Sequence, residues 1–227
     1  KKLPSIYKKQ KTEAETNNFN LEKIYDENVV RSPFYYDKVF MDFILDKKIL
    51  NVVKKLLGKN FILMLQNSPL CLPSKSHQGF SWHRDLVWQH FITNKPISIT
   101  VTIPLVDYTY ENGGMDIIER SHKETSFPSQ NYVKKNKKTI LAKKGSVIFF
   151  DSMCYHRSGL NRSSKIRSLV VMVFTLPFIK QQICIPSMLN KTEIESKLKK
   201  SDKKILGYFN QSGKSIIDWR LSRLRRI

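Results

Sequence analysis

Hydrophobic and polar positions change rhythm twice along this chain. Residues 1–32 are polar and weakly patterned, which predicts an arm laid over a surface. From Tyr36 to Leu57 the apolar positions Val39, Phe43, Ile49, Val52, Val53, Leu56 and Leu57 fall at helical spacing. They predict a helix, in one or two pieces around Asp46-Lys47-Lys48, with Gly58 as its stop. Beyond Gly58 the period shortens. Short strands are predicted over residues 60–67, 79–85, 96–106, 115–119, 139–142, 146–151 and 168–176, with Asn112-Gly113-Gly114 as a turn. Many short strands separated by turn residues predict a mainly β fold, a sandwich or jelly roll. Residues 177–188 read as an extended exit, and 191–227 return to charged, partly helical character. The expected organisation is a single domain: an N-terminal arm over 1–35, a β core over 60–178 and a C-terminal extension over 179–227.

Composition fits that organisation. The chain has 227 residues, 41% of them hydrophobic, enough for one sizeable core. Its formal net charge of +21 is an excess of lysine spread along the whole chain, as a proteome-wide bias and solubility produce, so a nucleic-acid partner is not expected. The three cysteines, Cys71, Cys154 and Cys184, form no CxxC pair. An odd number without that spacing argues against a disulfide framework and for a reducing, cytoplasmic setting. The start, Lys1-Lys2-Leu3-Pro4, has no apolar leader, and its lack of Met is expected of a trimmed or partial N-terminus. The longest apolar run, 169–179, is broken by Pro177 and falls short of the roughly 20 residues of a membrane span.

The chemistry-bearing residues are few and far apart. His83 and Asp85 sit in Trp82-His83-Arg84-Asp85, on a predicted strand, where alternation points both to one face. His156 follows the apolar strand 146–151, at a β-barrel mouth. A buried histidine alone is ordinarily a hydrogen-bonded core residue, but two histidines and one carboxylate can occupy one face of an Fe(II) ion and leave the other open. Arg167 lies eleven positions after His156, with Ser158 between them. A guanidinium fork assisted by a hydroxyl suits a carboxylate ligand, so a small diacid co-substrate is expected beside the iron. Arg157, next to His156, should face the opposite side.

As an ordered set these residues resemble the phytanoyl-CoA dioxygenase family of Fe(II)- and 2-oxoglutarate-dependent oxygenases. Trp82-His83-Arg84-Asp85-Leu86 is similar to the family's Trp-His-x-Asp-Leu segment, and Glu111-Asn112-Gly113 to its Glu-Asn-Gly turn. Ser121-His122-Lys123 matches its Ser-His-Lys, although Glu119-Arg120 replaces a Pro-Gly pair. The segment 145–151 followed by His156, Ser158, Asn161 and Arg167 keeps the family's distal spacing, and the whole resemblance covers about 35–210. It implies a double-stranded β-helix with flanking α-helices. It implies His83, Asp85 and His156 as metal ligands, with Arg167 and Ser158 binding the distal carboxylate of 2-oxoglutarate. Thr102 stands where the family often has tryptophan and could offer its hydroxyl to the co-substrate.

The implied reaction consumes O2 and 2-oxoglutarate and hydroxylates a C–H bond of a small or medium metabolite, an anionic one among the options, releasing succinate and CO2. A carboxylate at Asp85 argues for hydroxylation over halogenation, because the related halogenases carry Ala or Gly there. Gln66, Trp88 and His90 are candidate substrate contacts, and His122 a structural hydrogen-bond former. A metal-dependent cupin enzyme without 2-oxoglutarate, which has no need of Arg167 and Ser158, is the competing enzyme reading. A binding module on the same fold is the non-enzymatic one.

Overall fold

The apolar stripe between Tyr36 and Leu57 does form two helices. In the computed structural model, which describes residues 2–74, 81–86 and 92–224, α2 spans Lys38–Ile44 and α3 spans Lys47–Leu57, after an N-terminal helix α1 at Lys2–Thr16. Asp46 caps α3 by accepting from Lys48 N and Ile49 N, at 2.8 and 3.0 Å, and Gly58 ends it with φ at +85°. Phe40, Ile44, Ile49 and Val53 from these two helices pack into the main core.

Among the described residues there are eight strands: β1 Val29–Arg31, which precedes α2, then β2 Ile62–Cys71, β3 Ser98–Pro104, β4 Met115–Ile118, β5 Lys137–Ile140, β6 Ile148–Asp151, β7 His156–Ser158 and β8 Arg167–Thr175. They form two antiparallel sheets, a five-stranded one in the order β1-β2-β8-β3-β6 and a three-stranded one in the order β5-β4-β7. This is a jelly roll, as the strand pattern predicts, with the flanking helices that the family resemblance implies. The large sheet sorts its side chains by alternation. Leu63, Val101, Met172 and Phe174 enter the helix-covered core, while Thr100, Thr102, Val171 and Val173 take the opposite face. That second face looks toward the small sheet and carries the site.

Three expectations need correction. The N-terminal arm, expected to be weakly patterned, contains a helix: α1 docks Leu3 and Ile6 into the main core. Its Gln10 brackets the edge strand β1, donating to Arg31 O and accepting from Arg31 N at 2.6 and 3.0 Å. The repeat Leu3, Ile6, Gln10, Ala14 has helical spacing, but lysines between those positions hid it. β1 then joins the large sheet, which therefore begins before residue 60. Second, the expected strand at 79–85 is not one. Residues 79 and 80 lie outside the described residues, and 81–86 make a single antiparallel bridge, His83 with His156. Third, the exit from β8 is extended only briefly, because Pro186 sits in the first turn of helix α5 at Ile185–Leu189.

Helix α4, Gln130–Asn136, was not foreseen. Ser129 caps it by accepting from Tyr132 N at 3.2 Å. The short helices α6 Glu193–Ser196, α7 Lys200–Ile205 and α8 Ile216–Leu224 complete the C-terminal part. Gln181 donates to both Leu63 O and Leu206 O, at 2.8 and 3.1 Å, tying that part to β2.

Candidate metal centre and co-substrate pocket

His83 and His156 are brought together by the backbone. Each amide nitrogen donates to the other's carbonyl at 3.0 Å, so the two residues form a hydrogen-bonded antiparallel pair and their rings lie 4.4 Å apart. Asp85, two residues on, is pinned by its own amide to Ser152 O at 2.9 Å. Its Oδ1 stands 3.7 Å from His83 Nε2 and 3.5 Å from His156 Nε2, and the three donor atoms all lie within 4.8 Å of one another.

The protons on these rings are placed by the chain. His83 Nδ1 is 2.9 Å from Ser81 O and His156 Nδ1 is 3.0 Å from Cys154 O. A ring nitrogen this close to a carbonyl oxygen is the protonated one, so both Nε2 lone pairs face the Asp85 carboxylate. Three lone pairs converging on one point repel one another unless a proton or a cation lies among them. Two neutral imidazoles and a carboxylate, each oriented through its far side, fit a divalent transition metal. Without a metal, protons on the imidazoles can take the cation's place. Burial works against charge on Asp85, but the positive charge and hydrogen bonds of His156 and His83, when protonated, outweigh it and hold its pKa far below the usual carboxylate range. Burial also lowers the pKa of His83, and Asp85 more than reverses that, leaving it raised above 6.5.

Oδ2 of Asp85 has a different partner. It accepts a hydrogen bond from the Thr100 hydroxyl on β3. Thr102, the next residue on that face, is buried and lines the same cavity. Of the polar alternates of β3, Ser98, Thr100 and Thr102, the sequence singles out only Thr102, and their alternation is the signal for Thr100.

The cavity holds about 390 Å³ between the two sheets. His83, Asp85 and His156 line it beside Tyr108, Ser158 and Val171. Arg167, 1% exposed, does not line the cavity itself but stands behind Ser158 and Tyr108, which do. Its Nη1 donates to Asn112 O and to Gly159 O, at 3.0 Å for the latter, and its Nη2 to Ser158 Oγ. The guanidinium also lies over the Tyr108 ring at 5.5 Å. Its Nε finds no hydrogen-bond partner, and no carboxylate comes within 4.0 Å of it among the described residues. A buried cation without a counter-charge is costly, and an anionic ligand removes that cost. The turn Asn112-Gly113-Gly114 matters here through its backbone, since Gly113 packs against Gly159 and Leu160 so closely that no Cβ fits.

The remaining candidates separate. Gln66 does not reach the cavity: it is fully buried and donates to Phe40 O at 2.8 Å, on the helix side of β2. Regular alternation would have grouped Gln66 with Met64, but a bulge between Leu63 and Leu65 turns it to the helix side and gives Leu65 and Asn67 to the cavity. Trp88 and His90 lie outside the described residues. His122 Nδ1 stands 3.3 Å from Cys154 Sγ, away from the triad. Arg157 pairs with Asp116 at 3.1 Å and stacks on Trp82, yet it also edges the cavity mouth, where the sequence reading turned it away. On the far rim stand Tyr25, Val29 and Arg31, contributed by the segment read as an arm.

A family profile described as phytanoyl-CoA dioxygenase (PhyH) matches residues 4–169. An uncharacterized protein of Mycobacterium tuberculosis is 28% identical over 162 residues, covering 68% of this chain and 58% of that one. The ectoine dioxygenase of Streptomyces coelicolor is 28% identical over 176 residues, with 64% and 58% covered. The chain thus spans 58% of the length of these curated relatives. Among solved structures, EctD from S. alaskensis with 2-oxoglutarate and 5-hydroxyectoine aligns with a TM-score of 0.56 at 19% identity, over 66% of this chain and 56% of that one. That likeness bears on the fold.

Proposed function

The chain belongs to the phytanoyl-CoA dioxygenase family, and from that premise we propose that it is an Fe(II)- and 2-oxoglutarate-dependent oxygenase that hydroxylates an unactivated C–H bond of a small or medium metabolite, releasing succinate and CO2. One observation carries the reading. His83, Asp85 and His156 offer three converging donors, and directly behind Ser158 and Tyr108 of the same cavity lies the buried Arg167 guanidinium, with no carboxylate within 4.0 Å among the described residues. His83 Nε2, Asp85 Oδ1 and His156 Nε2 would hold the metal. Iron bound there, with 2-oxoglutarate and O2, supplies the oxidising chemistry. The chain supplies orientation. Arg167 and Ser158 bind the distal carboxylate of 2-oxoglutarate, and Thr102 offers a hydroxyl along its length. Val29, Leu65, Pro69, Leu169 and Val171 give the cavity dry walls.

The substrate enters from the side of Tyr25, Arg31 and Asn67. Apart from the triad, Arg31 and Arg157 are the charged side chains lining the cavity among the described residues. Both are paired to aspartates, Asp26 and Asp116, so the rim is balanced rather than strongly cationic. Such a rim sets no strong charge preference, and the volume left beside the co-substrate suits a small metabolite.

The test is succinate release from 2-oxoglutarate by the Fe(II)-loaded chain in air, read together with a mass-shift screen of metabolites for the gain of one oxygen atom. His83→Ala and Asp85→Ala should each abolish both signals. Undiminished turnover in both variants would remove the assigned triad.

A further inference from the structure

The Asp85 carboxylate is asymmetric. Oδ1 faces both imidazoles, while Oδ2 is engaged by the Thr100 hydroxyl. Thr100 is 1% exposed and does not act alone. Its Oγ1 lies 2.8 Å from Ser152 Oγ, which in turn lies 2.8 Å from Ser98 Oγ. Ser98 and Ser152 are fully buried. Each hydroxyl has one proton. An ionised carboxylate only accepts, so the Thr100 proton points to Asp85. Thr100 must then accept from Ser152, and Ser152 from Ser98. This is the one assignment that fills all three contacts. The carbonyl of Phe174, 3.2 Å from Ser98 Oγ, is the weaker alternative for the last proton. Chains of this kind polarise each member toward the charged end. Ser152 holds Asp85 twice, through this relay and through its carbonyl on the Asp85 amide.

We propose that Thr100 is a positioning residue for the metal-binding carboxylate: fed by Ser152 and Ser98, its hydroxyl commits Oδ2 of Asp85 and leaves Oδ1 alone for the metal. This rests on the metal reading of the triad. A carboxylate held through one oxygen uses one coordination position, and the positions it leaves are those that co-substrate and O2 require. Without the Thr100 hydroxyl, Oδ2 is free to rotate toward the metal.

Co(II) titration of the full chain, followed by its visible d–d absorption, tests this without turnover. Thr100→Val, which keeps the shape and removes the hydroxyl, should weaken Co(II) binding about 10- to 100-fold and change the band shape, because such outer contacts carry that much metal affinity. Thr100→Ser should restore both. Ser152→Ala, which keeps Thr100 and cuts the relay, should give a smaller loss, and it carries the test if Thr100→Val does not fold. A wild-type spectrum and affinity in the valine variant, or in Ser152→Ala where that one stands in, would overturn the proposal while leaving the triad intact. Failure of the wild-type chain to take up Co(II) would remove the metal reading and this inference with it.

Discussion

His83 and His156 exchange backbone hydrogen bonds, each amide donating to the other's carbonyl at 3.0 Å. The main chain, not a side-chain network, therefore sets the spacing of the two imidazoles. A site built in this way is organised before any metal arrives, and changes in backbone packing nearby should be felt at the site.

Gly159 gives the sharpest case. A Cβ built there would stand 1.7 Å from Gly113 O, and the Gly159 carbonyl is one of the acceptors that fix Arg167. Gly159→Ala should force the two loops apart. The expected loss is roughly 2–4 kcal/mol of folding stability in a denaturant titration, with weaker 2-oxoglutarate binding alongside. Gly145→Ala provides the contrast: among the described residues nothing lies within 4 Å of a Cβ there, so only its φ of +81° resists the change and the co-substrate end is untouched.

Arg167 should govern the co-substrate and not the metal. Arg167→Ala removes charge-assisted hydrogen bonds to a carboxylate and should raise the 2-oxoglutarate requirement about 10- to 100-fold, with a much smaller effect on the primary substrate. Arg167→Lys keeps the charge, loses the fork and should fall between the two. Metal affinity should stay near wild type in both. An unchanged 2-oxoglutarate requirement would place the clamp elsewhere.

Metal uptake should depend on pH with a definite sign. Protons and metal compete for the Nε2 atoms, and Asp85 raises the pKa of His83 above 6.5 in the metal-free chain. Affinity is therefore full only above that raised value and declines as pH falls through it, beginning at a higher pH than an ordinary histidine would give. Linkage acts oppositely on the metal-free fold. Its extra stability from the His83–Asp85 contact is present below pH 6.5 and is lost as pH rises through the folded pKa. Isothermal titration with Co(II) across the range from pH 6 to pH 8 checks the first trend, and thermal melts of the apo chain check the second.

Most of the strand rhythm and the helix pair ended by Gly58 were legible because each rests on local spacing, while His83, Asp85 and His156, far apart in sequence but brought together here, stood out through their resemblance to family motifs. What escaped was non-local. A bulge between Leu63 and Leu65 reversed the facing of Gln66, and single-strand alternation cannot show a bulge. Helix α1 stayed hidden because its apolar positions are few and separated by lysines, and its docking depends on a core assembled from distant segments. Thr100 and Ser152 are ordinary hydroxyls whose role comes only from lying 2.8 Å apart beneath Asp85. Trp82 and Arg157 likewise form a stacked pair that neither neighbourhood announces.

The proposed ferrous centre shared by His83, Asp85 and His156, with 2-oxoglutarate reaching Arg167, is tested most directly by anaerobic titration of the chain with Fe(II) and 2-oxoglutarate, read by visible absorption. A weak band should appear only when both are present, vanish in Asp85→Ala, and need more 2-oxoglutarate in Arg167→Ala. No band in the wild-type chain, or an equal band in Asp85→Ala, would contradict it.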